Sequence, residues 1–223
     1  MASKFLMARV LEECNWKCTY CEYCDNDIHP DEDKAIAIFE KYKDRLTHIT
    51  GGEPGLLSER FWDHVFNTRR VGVLSNGLFI QKGYYEKYHD RLDHLYIHVT
   101  PELNNAISPS TLKVIRSKDP IVEPSFVIHK KNIHMVRDFL NKYNDIDFNI
   151  TISGAQFYPD RGYNITERES ALKVIEQLKD FPKYNRIIGR LLKAITSDHW
   201  NLCFIPDVKV DKCSECPVKC WIQ

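Results

Sequence analysis

The chain has 223 residues, 43% hydrophobic and 28% charged, which suits one globular domain with a sizeable core. Its 31 basic and 31 acidic side chains cancel, so charge gives no case for tight binding to nucleic acid or to a membrane surface. All eight cysteines fall in two groups, Cys14, Cys18, Cys21 and Cys24 near the start and Cys203, Cys213, Cys216 and Cys220 near the end, and such clustering argues for two metal sites rather than scattered buried thiols.

The first segment, "KFLMARVLE", predicts a strand that runs into the cysteine loop. Arg9 breaks its apolar run and acids follow, so it does not read as a signal peptide. No apolar run approaches transmembrane length. The expected compartment is the cytoplasm, where close cysteines serve as metal ligands or redox centres before they serve as disulfides. "DEDKAIAIFEKYK" predicts a helix with acids in its first turn and Lys at its end. "LTHIT" is a short strand that stops at "GGEPG". "SERFWDHVFNTR" is a helix with Ser58 as N-cap. "VGVLS" is a strand ended by the Asn76-Gly77 turn, and "IQKGYYEKYHDR" a weaker helix.

"HLYIHVT" is a strand that stops at Pro101. "SPSTLKVIRS" is a helix with Pro109 near its start, and "PSFVIHK" a strand. "IHMVRDFLNKY" places Ile133, Val136, Phe139 and Leu140 at helical spacing. "IDFNITIS" alternates as a half-buried strand. "TERESALKVIEQL" starts with a capping box of Thr166 and Glu169. "YNRIIGRLLKAI" is the last helix, weakened at Gly189. About six strands alternating with about six helices predict an α/β fold with parallel strands, as an open sheet or a barrel. From about Asn201 onward the chain turns short, irregular and rich in Cys, so residues 1–200 are expected to form the main domain and 201–223 an appendage held by metal.

Cys14-x3-Cys18-x2-Cys21 is uneven for a zinc knuckle and suits three thiolates on one 4Fe–4S cluster, with the fourth iron open. "CNWKCTYC" resembles the signature of the radical S-adenosylmethionine (radical SAM) enzymes, with Tyr20 as the aromatic before the third cysteine. "TGGEP", Thr50 to Pro54, resembles the family's glycine–glycine–glutamate motif, and "LSNG" its turn after the third strand. The resemblance implies a partial (β/α)6 barrel and S-adenosylmethionine (SAM) chelating the open iron. It implies that Gly51, Gly52, Glu53 and Pro54 line the SAM amine and that Asn76, His98 and Thr100 stand near the cofactor. Reductive cleavage of SAM would give a 5′-deoxyadenosyl radical that takes hydrogen from a substrate, with the cofactor supplying the difficult chemistry. Barrel active sites lie at the C-terminal ends of strands, where the Cys14 and Gly51 loops are expected.

His98 reads equally as a core residue and Thr100 as a strand terminator. Asn132 follows the fifth strand, where the family commonly has Asn, and helix capping explains it equally well. Ile152 to Gly154 stand where the family often contacts adenine, and they read more readily as barrel core. Taken alone, the Cys14 loop fits zinc and "TGGEPG" an ordinary turn.

Cys203, Cys213, Cys216 and Cys220 resemble the shorter twitch-type relatives of SPASM extensions, which implies one second 4Fe–4S cluster. A zinc site with four thiolates is the alternative. Cys24 is the odd thiol, because closing the first cluster would block SAM. Three functions are consistent with the sequence. One is peptide or protein side-chain modification, and another is modification of a nucleoside, nucleotide or other small metabolite. The third is a non-catalytic iron–sulfur or zinc module. An electron donor such as flavodoxin or ferredoxin is the implied partner, and no residue is named as the substrate-side acid, base or relay.

Overall fold

In the computed structural model, the described residues are 7–18, 29–101, 107–128, 132–152 and 168–196. The strands are β1 (Met7–Arg9), β2 (His48–Thr50), β3 (Val71–Ser75), β4 (Leu92–Val99), β5 (Val122–Ile128) and β6 (Asn149–Ile152). They form one sheet in the order β1-β2-β3-β4-β5-β6, and every neighbouring pair is parallel. When each strand adds on the same side, right-handed crossovers put all helices on one face. The C-terminal ends of all the strands therefore share one edge, which gathers the loops after β1, β2 and β3.

The helices are α1 (Glu32–Tyr42), α2 (Glu59–Thr68), α3 (Leu78–Gln81), α4 (Tyr84–Tyr88), α5 (Pro109–Lys118), α6 (Val136–Lys142), α7 (Arg168–Leu178) and α8 (Asn185–Thr196). Their starts follow local chemistry. Asp31 accepts the Lys34 N–H ahead of α1, Ser58 accepts the Arg60 N–H ahead of α2, and Ser108 accepts the Thr111 N–H ahead of α5. The single helix expected over "IQKGYYEKYHDR" is instead two short ones. Gly83, at φ +76°, breaks it in the left-handed region. "IHMVRDFLNKY" opens with a 3-10 turn at Ile133–Met135 before α6. The Thr166 cap lies outside the described residues.

Phe61, Trp62, Val65 and Phe66 form one buried face of α2. Trp62 meets Phe79 edge-on at 4.9 Å between ring centroids, and Phe66 stacks on Tyr88 at 4.9 Å. A second aromatic group, Phe126, Phe139 and Phe148, joins β5 to α6. In β4 the register slips by one residue, since Val71 pairs with Leu92 but Val73 with Leu95. This bulge keeps Leu92, Leu95, Ile97 and Val99 all buried.

The opposite face of the sheet carries a group of polar side chains. Tyr96 and His98 on β4 and Glu123 and Ser125 on β5 are half-buried there, at paired positions Tyr96–Glu123 and His98–Ser125. His48 lies across β3, and a Cβ on Gly72 would meet its ring at 2.3 Å. The ring of Tyr96 is 5.7 Å from that of His48 and 5.9 Å from that of His94. Burial, then the neighbouring His94, pushes the His48 imidazole down to about 4, so it is neutral at neutral pH.

Candidate active site at the C-terminal ends of the strands

The loops after β1 and β2 run side by side beyond the sheet. Val10 N–H donates to the Thr50 carbonyl at 3.0 Å, Gly52 N–H to Leu11 at 2.9 Å, and Glu53 N–H to Glu13 at 2.8 Å. The Gly-Gly-Glu stretch thus continues the ladder of β2 onto the segment leading to Cys14. Such closeness requires glycine. A Cβ on Gly52 would sit 1.9 Å from the Glu13 carbonyl oxygen, and one on Gly51, whose φ is +147°, 2.3 Å from that of Leu11. The missing side chains admit the backbone of residues 11–13.

Glu53 has no exposed surface. Its Oε1 accepts the Gly55 N–H at 2.7 Å and the Ser75 hydroxyl at 2.8 Å, and its Oε2 accepts the Asn76 N–H at 2.6 Å. Burial pushes its carboxyl up to about 7, against the pull of those three donors. Expected from sequence to meet the SAM amine, Glu53 fastens the loop after β2 to the loop after β3. Pro54 begins the 3-10 turn Pro54–Leu56, which Glu53 caps through Gly55. Ser75 belongs to the same hydrogen-bonded group, and the sequence reading passed over it. Its hydroxyl donates to Glu53 and accepts from Gly77 and Phe79, and its place beside Asn76 in "LSNG" was the available signal.

Asn76 is buried and carries the connection on to the cysteine loop. Its Nδ2 donates to Asn15 Oδ1 at 2.8 Å and to Cys14 Sγ at 4.0 Å. The Trp16 N–H also donates to Cys14 Sγ, at 3.4 Å. Cys14 is buried and Cys18 half-buried, and neither is in a disulfide. Soft thiol donors on one loop fit an iron–sulfur cluster, and the two N–H donors aimed at Cys14 fit a thiolate that carries negative charge.

His98 lies under this loop, with its ring edge-on to Trp16 at 6.1 Å. Thr100, just beyond β4, is fully buried. Asn132 does not cap the turn that follows it. Its buried amide donates back to the Val127 carbonyl at 2.9 Å and closes the end of β5. Ile152 ends β6 opposite Ile128. Tyr20, Cys21, Cys24, Ser153, Gly154, Cys203, Cys213, Cys216 and Cys220 lie outside the described residues. Among the described residues, no helix is long and apolar enough to cross a membrane.

No protein-family model matches the sequence, and neither does any curated protein. Solved structures do match. Native anSMEcpe with bound AdoMet aligns with a TM-score of 0.54 at 17% identity, over 83% of this chain and 61% of that one. Native anSMEcpe with bound AdoMet and Kp18Cys peptide aligns with a TM-score of 0.51 at 15% identity, over 83% and 61%. The form with Cp18Cys peptide aligns with a TM-score of 0.52 at 16% identity over the same shares. The chain thus spans about three-fifths of the length of these neighbours. At such identities the likeness is one of fold alone.

Proposed function

We propose that this chain is a radical SAM enzyme with a partial (β/α)6 barrel. The observation that carries the reading is the juxtaposition of its two motifs. Gly52 and Glu53 are hydrogen-bonded along the backbone of residues 11–13, directly before Cys14. Cys14, Cys18 and Cys21 would hold a 4Fe–4S cluster, whose open iron SAM would chelate. Such a cluster would supply the electron for reductive cleavage of SAM. The chain's own residues hold the loops rigid and close the site. Glu53 and Ser75 lock the turn after β3 against that after β2. Asn76 fixes the cysteine loop, and Trp16 with His98 covers its underside.

The substrate reading is a peptide or protein side chain. It is supported by the neighbours of like fold, two of which hold peptides beside AdoMet. Tyr96, His98, Glu123 and Ser125 form a polar wall on the sheet face away from the core, where such a side chain would enter. Cys203, Cys213, Cys216 and Cys220 would hold a second 4Fe–4S cluster, and a flavodoxin or ferredoxin would deliver electrons. The test is electron paramagnetic resonance of anaerobically reconstituted, dithionite-reduced protein, before and after SAM is added. A change in the reduced-cluster signal on adding SAM is expected. A signal indifferent to saturating SAM would remove the radical SAM reading. Metal analysis decides the second site: about eight irons per chain without zinc support two cubanes, and about four irons with retained zinc oppose them.

A further inference from the structure

We propose that Asn76 is a positioning residue that raises the reduction potential of the metal centre at Cys14 by donating an N–H···S hydrogen bond to its thiolate. This rests on the cluster assignment above. The hydrogen-bonding capacity of Asn76 leaves little choice of orientation. Its backbone N–H is used by Glu53 Oε2 at 2.6 Å. Its Oδ1 accepts the Leu78 N–H at 3.2 Å, which fixes which end of the amide is oxygen. The two Nδ2 hydrogens then face Asn15 Oδ1 at 2.8 Å and Cys14 Sγ at 4.0 Å. The side chain is buried, so water does not compete for these donors.

Adding an electron makes a thiolate-ligated centre more negative, and a donor aimed at a ligand sulfur stabilises that charge. Asn76 therefore favours the reduced form without exchanging a proton or an electron itself. The electron comes from an external reductant, and no bond at Asn76 is made or broken. The same residue ties this effect to Glu53, so the two motifs share one hydrogen-bonded connection.

The experiment is a redox titration of full-length reconstituted protein, followed by electron paramagnetic resonance. Asn76→Asp keeps the shape and the acceptor for Leu78, loses both donors and adds negative charge. Its midpoint is expected to fall by about 59 mV, a tenfold change in the one-electron equilibrium. Asn15→Ala keeps the donor to sulfur, and its midpoint is expected not to fall. Equal midpoints for wild type and Asn76→Asp, at equal iron content, overturn the proposal.

Should Asn76→Asp fail to take up iron, the wild type carries the test. With 15N in asparagine side-chain amides, the reduced centre is expected to show a 15N hyperfine coupling that survives Asn15→Ala. Absence of that coupling overturns the proposal. A wild type that shows the midpoint difference yet is indifferent to SAM supports Asn76 and sinks the radical SAM reading. One that responds to SAM with no midpoint difference sinks only the role of Asn76.

Discussion

The backbone N–H of Asn76 donates to Glu53 Oε2 at 2.6 Å, and through this bond the loops after β2 and β3 become one unit. Asn76 then reaches Asn15 and Cys14 with its side chain, so the loop after β1 joins the same unit. A carboxylate at position 53 thus has an architectural task in addition to any contact with a ligand.

Glu53→Gln should show that task. The amide NH2 stands where the ionised carboxylate has only acceptors, so it faces either the Asn76 N–H or the pair formed by the Gly55 N–H and the Ser75 hydroxyl. At least one buried donor loses its partner, at a cost of about 1–3 kcal/mol. Urea unfolding of the full chain checks this, and an unchanged midpoint would show that the bonds at Glu53 contribute nothing.

The same pair of proteins gives a pH signature. Glu53 titrates near 7 when folded and near 4.5 in its ordinary state. Between those values the folded chain holds a proton that the unfolded chain has released, so stability from this group falls as pH rises across the window and is flat above it. The stability of wild type relative to Glu53→Gln should therefore decline from about pH 4.5 to about pH 7. A difference that rises across that window contradicts the burial argument.

Two glycines should respond oppositely to alanine. At Gly52 the new Cβ would fall on the Glu13 backbone, which cannot move away without breaking the Glu53–Glu13 bond. Gly52→Ala should cost about 1–3 kcal/mol and reduce iron uptake. Gly189 in α8 is exposed with nothing within 4 Å of a Cβ, so Gly189→Ala should stabilise by about 1 kcal/mol. Thermal unfolding of both variants separates close approach from mere helix propensity, and equal behaviour would contradict the distinction.

Away from the site, buried Asp119 accepts the Tyr85 hydroxyl at 2.8 Å and pairs with His89 Nε2 at 2.8 Å. Burial raises the Asp119 carboxyl, but Tyr85, the Ile121 N–H and His89 outweigh it and hold it below the usual range. His89 is raised by Asp90, against burial, and by Asp119. The aspartate's contribution is present above about pH 3.8 and lost as pH falls through its lowered value. The histidine's is present below about pH 6.5 and lost as pH rises through its raised value. The advantage of wild type over Asp119→Asn in urea should therefore peak between these limits. A pH-independent advantage would show that the pair does not titrate as described.

Much of the fold was legible because the alternating elements carry their own punctuation. Ser58 caps α2, Pro109 opens α5, and β4 alternates buried with half-buried positions from Leu95 on. The break at Gly83 was harder to read, because helical composition continues on both sides and only φ separates the halves. Glu53 and the glycines were legible as a motif but not in their contacts. Which backbone fills the space beside a glycine depends on how two distant strands meet. Asn132 shows the same limit. An Asn before a helical turn reads as a cap, yet its amide donates back to the Val127 carbonyl and no cap bond forms. The polar face of Tyr96 and Glu123 was hidden because alternation shows which residues share a face and not what that face looks onto.

The most direct test of the account is chemical. Protein reconstituted anaerobically with iron and sulfide is incubated with SAM and dithionite, and 5′-deoxyadenosine is quantified beside the Cys18→Ala and Cys24→Ala variants. The account predicts 5′-deoxyadenosine from wild type and Cys24→Ala and none above background from Cys18→Ala. No 5′-deoxyadenosine from wild type that holds at least about four irons per chain would contradict it.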